Sequence, residues 1–408
     1  MTAVKVAIDS IAAGGDGVGR TDGMVVFVPR SAPGDVVTAR LAGRKRFARG
    51  TILQIDTPSA DRIEPPCPHY VIDRCGGCQL QHLAYSAQLR AKSTIIRDGV
   101  TRIGKRTVDL PAVEASPSQW RYRTKLTLAI RNLPRGWVLG LHAFDDPAAV
   151  FQLVDCPITD ERVVAVWRSI VATTELLPPE AERGSVRVAA DGVVTVLIEG
   201  GEEWPDAVRF FEALPAIGSL WWKPENRTRQ MIASRGDSVA GASFAQVNSG
   251  MAATLHAYVL ERVRRHSPVT VVDAYAGSGA TAVPLASGGI VVTAIELDRY
   301  AAESCAARLL AGSRALTGRV EDLLPGALPA DVVLLNPPRT GLADAVPVAL
   351  ESAHPRPRAI IYVSCNSATL GRDLARLPGY RIESVRGFDM FPQTAHVETV
   401  CELIPAAA

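Results

Sequence analysis

Val269-Thr-Val-Val-Asp273-Ala-Tyr275-Ala-Gly277-Ser-Gly279-Ala-Thr281 is the stretch that decides the fold. It begins with the β-branched residues of a buried strand, passes through two glycines and resumes with a helical pattern. Glycines in such a turn let the backbone approach a nucleotide-like ligand, and Asp273 at the strand end can orient the loop or the ligand. The complete dinucleotide fingerprint is missing, which argues against NAD. The stretch therefore predicts an α/β domain with a nucleotide-type cofactor crevice.

Three acidic or amide side chains follow at positions that suit such a ligand. A second strand, 290–296, ends in Glu296, which comes seventeen residues after Gly279, and its carboxylate can accept both hydroxyls of a ribose. Asp322 follows the short segment 318–320 and is a candidate for contact with an adenine amino group. A further strand carries Asn336 at its tip, held by two prolines, and its amide complements the edge of a nucleobase.

Ile360-Ile-Tyr-Val-Ser-Cys365-Asn366 ends another buried-strand pattern with a thiol. Ligands of open α/β sheets bind beyond the carboxyl ends of the strands, where this thiol is predicted to lie. We interpret Cys365 as a nucleophile, and the alternative is a small buried hydrophobic residue. Glu398, at the entry to the last predicted strand, is a candidate base whose alternative is an ordinary surface carboxylate.

The cysteine spacing in the first half of the chain is typical of a metal centre. Cys75-Gly-Gly-Cys78 can clasp one centre, Cys67 lies a few residues upstream, and Cys156 is the nearest remaining thiol. Zinc and a [4Fe–4S] cluster both accept four thiolates, so spacing leaves the metal open. A redox dithiol at Cys75 and Cys78, or unligated core cysteines, are the alternatives.

The first 58 residues read as short strands separated by turns, which favours a small β-barrel. Arg44-Lys45-Arg46 forms a basic patch there, and 120–125 interleaves aromatic residues with cations at strand spacing. Cations with aromatics suit phosphate contact and base stacking, so together they favour a nucleic-acid partner. Solvated charged faces are the alternative for each patch.

The composition of the chain is consistent with these interpretations but does not choose among their alternatives. The chain has 408 residues, 47% hydrophobic and 21% charged, which indicates two to four domains of ordinary globular protein. A net charge of +2 is too small to identify a polyanionic partner. We find neither a signal peptide nor a long apolar run, so we predict a cytoplasmic location and no membrane contact. Seven cysteines, an odd number, do not suggest a disulfide framework.

Five sequence blocks, taken together, resemble one family. The chain resembles the bacterial RNA uracil-C5 methyltransferases, in particular the 23S ribosomal RNA type with an N-terminal TRAM barrel and an iron–sulfur cluster. The blocks that carry the resemblance are Cys67…Cys75-Gly-Gly-Cys78-Gln-Leu-Gln-His82, Phe244-Ala-Gln246-Val-Asn248, Asn336-Pro-Pro-Arg339, Val363-Ser-Cys365-Asn366 and Asp389-Met-Phe-Pro392…His396-Val-Glu398.

The resemblance implies roles for particular residues. It implies that a [4Fe–4S] cluster, rather than zinc, is held by the four thiols Cys67, Cys75, Cys78 and Cys156. It implies an S-adenosylmethionine site formed by Gln246, Tyr275, Ala280, Glu296 and Asn336, with the turn glycines Gly277 and Gly279 and with Asp322. Two positions depart from the family, which usually has Asp in place of Asn336 and Asn in place of Ala280.

The resemblance also implies an architecture and a reaction. We expect an α/β protein with an OB-like TRAM barrel (1–58), a central α+β domain with the iron–sulfur site (59–240) and a Rossmann-like class I methyltransferase domain (241–408). The expected reaction is C5-methylation of a uridine in 23S ribosomal RNA by a monomer, with Cys365 adding to C6 and Glu398 removing the C5 proton. The alternatives are a transfer-RNA uracil methyltransferase, a cytosine-C5 methyltransferase and a non-catalytic iron–sulfur RNA-binding protein.

Overall fold

The N-terminal region forms a closed five-stranded barrel in the computed structural model, which describes residues 3–43, 47–236 and 246–406. Its strands, in the order β1-β2-β3-β5-β4, are β1 (Ala3–Ile11), β2 (Gly17–Thr21), β3 (Met24–Val28), β4 (Val36–Ala42) and β5 (Phe47–Thr57). Alternate residues such as Val6, Val26 and Val37 point inward and are buried. The predicted barrel is thereby confirmed, whereas the basic patch 44–46 lies outside the described residues.

The sequence pattern did not reveal β2, because glycines dilute its alternation. The structure shows why glycine stands there: a Cβ atom on Gly19 would lie 2.2 Å from the carbonyl oxygen of Ala7 on the neighbouring strand. A Cβ atom on Gly17 would lie 2.0 Å from the hydroxyl oxygen of Ser31. Close packing of the barrel wall therefore requires the residues that weaken the strand signal.

The segment after the barrel packs between the barrel and the C-terminal sheet. It contains α1 (Pro68–Val71), α2 (Tyr85–Asp98), a π-helical turn (Gly99–Ile103) and β6 (Val113–Glu114). One face of α2 contacts Ile11 and Ala32 of the barrel. Ile96 and Val100 instead belong to the core of the C-terminal sheet, to which β6 adds an edge strand. The domain boundaries at 58 and 240 remain predictions, and α2 and β6 pack on the third predicted domain rather than on the second.

A seven-stranded sheet forms the centre of the chain, in the order β13-β12-β11-β10-β7-β8-β9. Its strands are β7 (Lys125–Leu133), β8 (Gly136–His142), β9 (Val150–Gln152), β10 (Ala181–Val188), β11 (Val194–Gly200), β12 (Ser219–Lys223) and β13 (Gln230–Ser234). One face is covered by α3 (Glu161–Val171), a short 3₁₀ helix (Thr174–Leu176) and α4 (Ala207–Ala213). Trp167 and Phe210 fill the core beneath these helices.

The C-terminal sheet has eight strands in the order β16-β15-β14-β17-β18-β20-β19-β6. Its strands are β14 (Thr270–Ala274), β15 (Val291–Glu296), β16 (Arg314–Thr317), β17 (Val332–Leu335), β18 (Ala359–Ser364), β19 (Tyr380–Phe388) and β20 (Glu398–Pro405). Its helices are α5 (Ser249–Arg265), α6 (Ala282–Ser287), α7 (Arg299–Ala306), α8 (Val320–Ala327), α9 (Ala345–Ser352) and α10 (Ser367–Leu374).

Strands β14 to β18 are mutually parallel, and apolar cores lie on both faces of the sheet. From β14 the chain proceeds outward through β15 and β16, then returns to the other side of β14 with β17 and β18. This reversal makes a topological switch point between β14 and β17, where ligands of such sheets bind. Among the described helices, none is both long and apolar enough to cross a membrane.

Candidate active site and cysteine pocket

The crevice opens where β14 and β17 end side by side. Ala274 pairs with Leu335 in the parallel register, so Tyr275 and Asn336 follow at the same level. The Asn336 backbone N–H donates to the Ala274 carbonyl at 3.3 Å, which joins the two strand ends. Asn336 is exposed at this edge. The predicted juxtaposition of the glycine turn with the Asn-Pro-Pro segment is therefore present.

The turn after β14 depends on left-handed backbone at three positions, Tyr275 (φ 66°), Gly277 (φ 56°) and Gly279 (φ 89°). A Cβ atom on Gly279 would lie 2.7 Å from the Cys305 sulfur, so space as well as conformation requires glycine there. A Cβ atom on Gly277 would meet nothing within 4 Å. Gly277 therefore faces open space, which leaves its backbone accessible to a ligand.

Glu296 fixes this turn from the neighbouring strand. One carboxylate oxygen accepts the backbone N–H of Gly277 at 2.8 Å, and the other accepts the N–H of Asp298 at 2.8 Å. A carboxylate has about four lone-pair sites, so both oxygens keep capacity for hydroxyl donors. The predicted ribose-binding acid thus also holds the glycine turn, a second role that its spacing did not reveal.

Three of the predicted cofactor residues line one small cavity at the base of the crevice. The cavity has a volume of about 40 Å³, and its walls include Tyr275, Ala280 and Asn336. That volume holds a few water molecules at most, so the cavity by itself is much smaller than a nucleotide-type cofactor. Asp273 and His256 also line it. Burial raises the pKa of Asp273 to about 7, although the Thr281 hydroxyl donates to its carboxylate.

Besides Gly277, Gly279 and Glu296 of the turn, Gln246 and Asp322 are predicted cofactor residues that do not line this cavity. Gln246 lies partly buried two residues before the Asn248 cap of α5, the helix that supplies Leu255 and His256 to the cavity wall. Asp322 is exposed in the first turn of α8. Burial raises the pKa of Tyr275 to about 12, and the carboxylates of Glu321, which neighbours Asp322, and of Asp373 act in the same direction. Roles for Gln246 and Asp322 therefore stay predictions.

Cys365 and Glu398 meet at the same edge of the sheet. Strands β18 and β20 are antiparallel and pair Ser364 with Thr399, so Cys365 and Glu398 are the next residues outward on the two strands. Glu398 is buried, whereas Cys365 is partly exposed. The structure thus brings the predicted nucleophile and the predicted base together, beside the crevice that the glycine turn forms.

The backbone around Cys365 forms a tight turn from β18 into α10. The Ser364 hydroxyl donates to the Asn366 carbonyl at 3.0 Å and accepts the Asn366 N–H at 3.2 Å, so it bridges the backbone across Cys365. The Asn366 side chain then caps α10, accepting the N–H of Ala368 at 2.9 Å. The thiol therefore stands at a helix N-terminus, whose partial positive charge favours a thiolate.

Arg339, for which the sequence pattern predicted no role, acts on both candidate catalytic groups. Burial and the Glu398 carboxylate raise the pKa of the Cys365 thiol, whereas the Arg339 guanidinium lowers it by charge and by a hydrogen bond. Burial raises the pKa of Glu398 to about 7, and Arg339 opposes that shift too. One exposed arginine therefore acts on both candidate catalytic groups, and its signal was the cation directly after Asn-Pro-Pro.

The four predicted metal-binding cysteines surround one cavity of about 280 Å³. Burial raises the pKa of each of these thiols, for Cys75 to about 11. Among the residues that the structure describes, no three His, Cys, Asp or Glu side chains are arranged to hold a single metal ion. The four thiols therefore share one cavity, and the kind of metal centre that they would hold stays a prediction.

The cysteine cavity extends to the active-site edge, because Arg339 and His396 also line it. The aromatic and cationic run 120–125 lies at the same junction, but the prediction of base stacking is wrong for Tyr122. Tyr122 is buried and its hydroxyl donates to the Pro392 carbonyl at 3.0 Å. Arg121 forms an ion pair with Asp155 at 3.0 Å. In the folded protein, tertiary contacts therefore engage side chains that the strand pattern predicted to be exposed.

Two family models match the chain. Residues 289–404 match the family described as tRNA (Uracil-5-)-methyltransferase, and residues 2–53 match the TRAM domain. The first match covers the strands that carry Glu296, Asn336, Cys365 and Glu398, and the second covers the barrel. Both ends of the chain therefore match the predicted architecture independently.

Several curated proteins are similar over nearly the full length. An uncharacterized RNA methyltransferase of Protochlamydia amoebophila is 32% identical over 98% of this chain and 98% of its own. One from Gloeobacter violaceus is 34% identical over 98% of this chain and 96% of its own. The crystal structure of Pyrococcus abyssi tRNA (uracil-54, C5)-methyltransferase with S-adenosyl-L-homocysteine has the same fold, with a TM-score of 0.73, 23% identity and coverage of 98% and 99%.

Proposed function

This chain belongs to the RNA uracil-C5 methyltransferase family, and on that premise we propose that it methylates C5 of a uridine in 23S ribosomal RNA through a covalent Cys365 adduct. The observation that carries this proposal is the placement of Cys365 and Glu398 at adjacent positions beyond the Ser364–Thr399 pair, beside the glycine-turn crevice. Attack on a pyrimidine ring and removal of a proton from that ring require two groups close to one base.

Cys365 starts the reaction in this proposal. C5 of uracil is a weak nucleophile, and addition of a thiolate to C6 moves electron density to C5 and O4. Arg339 and the N-terminus of α10 favour the thiolate. S-adenosylmethionine, when bound, would supply an electrophilic methyl group, so that C5 bonds to the methyl carbon and S-adenosylhomocysteine leaves as a neutral thioether. The ring is then saturated at C5 and C6 and remains bonded to Cys365.

Glu398 completes the cycle. Its carboxylate takes the C5 proton, the C5–C6 double bond re-forms, and the bond between C6 and the Cys365 sulfur breaks. A pKa of about 7 suits this role, because the group is partly deprotonated at neutral pH and still basic enough to accept a proton. A base within an RNA stack cannot reach these groups, so the uridine is flipped into the crevice.

We propose that several residues around the crevice contact S-adenosylmethionine. Glu296 accepts the ribose hydroxyls, and the Gly277 and Gly279 turn allows close backbone approach. Tyr275, Ala280 and Asn336 line the small cavity at the base of the crevice. Contacts from Gln246 and Asp322 are part of the same proposal. Asn336 in place of Asp keeps a hydrogen-bonding side chain without its charge, and Ala280 supplies no side-chain hydrogen bond.

The cluster proposal assigns Cys67, Cys75, Cys78 and Cys156 as ligands of a [4Fe–4S] centre. The shared cavity and the all-thiol donor set support it. All seven cysteines are unpaired, which agrees with the proposed cytoplasmic location. Anaerobic purification should give a brown protein with about four iron atoms per chain. A colourless protein that binds one zinc ion in these cysteines would contradict the assignment.

Transfer RNA is the second candidate substrate, and a specific observation favours it. The fold likeness to an archaeal transfer-RNA enzyme covers 98% of this chain, barrel included, so the barrel by itself does not separate the two substrates. The description of the family matched by residues 289–404 also names transfer RNA. The cysteine set, which the resemblance associates with the ribosomal type, supports 23S ribosomal RNA.

The experiment that tests the proposal is methyl transfer from labelled S-adenosylmethionine to unmodified 23S RNA, with transfer RNA in parallel and nucleoside analysis of both. We expect 5-methyluridine in ribosomal RNA only. Label in transfer RNA only would show that transfer RNA is the substrate and would leave the proposed reaction unchanged. Transfer to neither, despite bound cofactor and an intact metal centre, would favour the non-catalytic RNA-binding alternative.

A further inference from the structure

The segment 389–397 joins β19 to β20 and ends directly before the candidate base. Phe388, the last residue of β19, pairs with Glu398, the first residue of β20, so the connection leaves and returns at one level of the sheet. A connection of this length is not a tight hairpin turn, and its path is set by contacts outside the hairpin. The position at which the chain enters β20 at Glu398 therefore depends on the contacts that hold residues 389–397.

Gln393 is the most constrained residue of this segment. It is buried and adopts a left-handed backbone with φ 70°. Its carbonyl accepts the N–H groups of Gln79 at 3.1 Å and Leu80 at 2.9 Å, directly after the cysteine pair. Its own N–H donates to the Gln88 side-chain oxygen at 3.0 Å, and the Gln88 amide donates back to its side-chain oxygen at 2.9 Å.

Further contacts hold the residues that precede Gln393. Lys92 of α2 forms a fully buried ion pair with Asp389 and donates to the Phe391 carbonyl at 3.0 Å. The Asn248 amide donates to the Met390 carbonyl at 3.2 Å. These contacts come from α2 and from the cap of α5, so elements outside the hairpin fix its path.

We infer that Gln393 is a positioning residue for Glu398, held by Gln88. A non-glycine residue in left-handed backbone persists only where its surroundings determine it, and here the four hydrogen bonds around Gln393 do so. Release of Gln393 displaces Glu398 from the uracil ring, whereas Cys365 is placed separately by β18 and α10. Thiol addition and methyl transfer then proceed while adduct release slows. This inference rests on the proposed role of Glu398.

The test compares two substitutions at one position. Gln393→Val places a β-branched residue where φ is positive, whereas Gln393→Asn places a residue that tolerates this backbone. Ser267→Val is the matched control, because Ser267 also has positive φ (44°) but precedes β14 at the opposite edge of the sheet. The measurements are RNA methylation turnover, covalent RNA–protein adduct on a denaturing gel, cofactor Kd and Tm.

We expect Gln393→Val to lose about tenfold in turnover, equivalent to about 1.4 kcal/mol, and to accumulate adduct at unchanged cofactor affinity. Gln393→Asn should retain turnover within about threefold and accumulate less adduct. Ser267→Val should lower Tm without accumulating adduct. If Gln393→Val fails to fold, Gln88→Met provides the second variant, because it removes the acceptor of the Gln393 N–H at nearly constant volume, and the same adduct is expected.

Loss of turnover without adduct in the Gln393→Val and Gln88→Met variants would overturn the inference, and so would wild-type behaviour of both. Glu398→Gln separates this failure from that of the proposed function. Adduct in Glu398→Gln but not in the Gln393 and Gln88 variants removes only the positioning role. Absence of adduct in Glu398→Gln removes the proposed base, and the inference with it.

Discussion

Cys365 and Glu398 are next to each other at the ends of two hydrogen-bonded antiparallel strands, one residue beyond the Ser364–Thr399 pair. They are far apart in sequence, and only the insertion of β20 beside β18 brings them together. The two strands present these side chains at the carboxyl edge of β18, where ligands of this fold class bind.

Replacement of the thiol tests nucleophilic catalysis directly. Cys365→Ala should abolish methyl transfer, because it removes the proposed nucleophile, while the affinity for S-adenosylmethionine should stay within about twofold since the thiol lies outside the glycine turn. Calorimetric titration of cofactor and single-turnover transfer check both parts. Turnover in this variant would exclude Cys365 as the nucleophile.

Replacement of the base tests adduct release. Glu398→Gln removes the proton acceptor, so we expect a turnover loss of about 100-fold or more and a covalent RNA–protein species that survives denaturing electrophoresis. Cys365→Ala is the control that must show no such species. Clean product release from Glu398→Gln would assign the proton transfer to another group.

The activity should rise with pH near neutrality. Glu398 acts as a base only when deprotonated, and its pKa is raised to about 7, so multiple-turnover methylation, which requires adduct release, should have an acidic limb centred near pH 7. The raised pKa of the Cys365 thiol acts in the same direction, because the thiolate is the nucleophile. A rate that is constant between pH 6 and pH 8 would contradict both assignments.

The same carboxyl links stability to pH. Folding raises the pKa of Glu398 from 4.5 to about 7, so its contribution to stability is complete below about pH 4.5 and is lost as the pH rises through 7. Glu398→Gln should therefore raise the free energy of unfolding at pH 8 by about 1–3 kcal/mol and change it little at pH 5. Denaturant unfolding at both pH values measures this difference.

Arg339 should control formation of the thiolate. Arg339→Met removes the cation that lowers the pKa of Cys365, so we expect alkylation of this thiol at pH 7.5 to slow by about tenfold, as for one pKa unit. Arg358→Met, which breaks an ion pair with Asp331 at the opposite edge of the sheet, is the control. Equal alkylation rates in wild type and Arg339→Met would exclude this activation.

Two glycine-to-alanine substitutions separate the effect of a steric clash from the effect of a positive φ angle. Gly279→Ala places a Cβ atom 2.7 Å from the Cys305 sulfur at φ 89°, so we expect a loss of about 2–4 kcal/mol in stability and weaker cofactor binding. Gly289→Ala has nearly the same φ, 86°, but no atom within 4 Å, and should cost only about 1 kcal/mol. Equal losses would show that packing against Cys305 is unimportant.

Local patterns predicted much of this protein. The strand, glycine turn and helix at 269–281, the barrel and the positions of Cys365 and Asn336 all follow from periodicity and turn residues that act over a few positions. Other features do not follow from local patterns. The glycines that close the barrel wall hid β2, and within the run 120–125 Tyr122 is buried against Pro392 while Arg121 pairs with Asp155.

The sequence by itself determined which chemistry is available: a thiol after a buried strand, an acid before the last strand, four cysteines and a glycine turn. Only the tertiary structure decided how these groups act on each other. The register of β18 with β20 sets Cys365 beside Glu398, Arg339 reaches both, and α2 holds Gln393 in a conformation that its own sequence does not favour. Such contacts join residues tens of positions apart, and 305 positions apart for Gln88 and Gln393, and their energies depend on distance in space and leave no periodic signal along the chain.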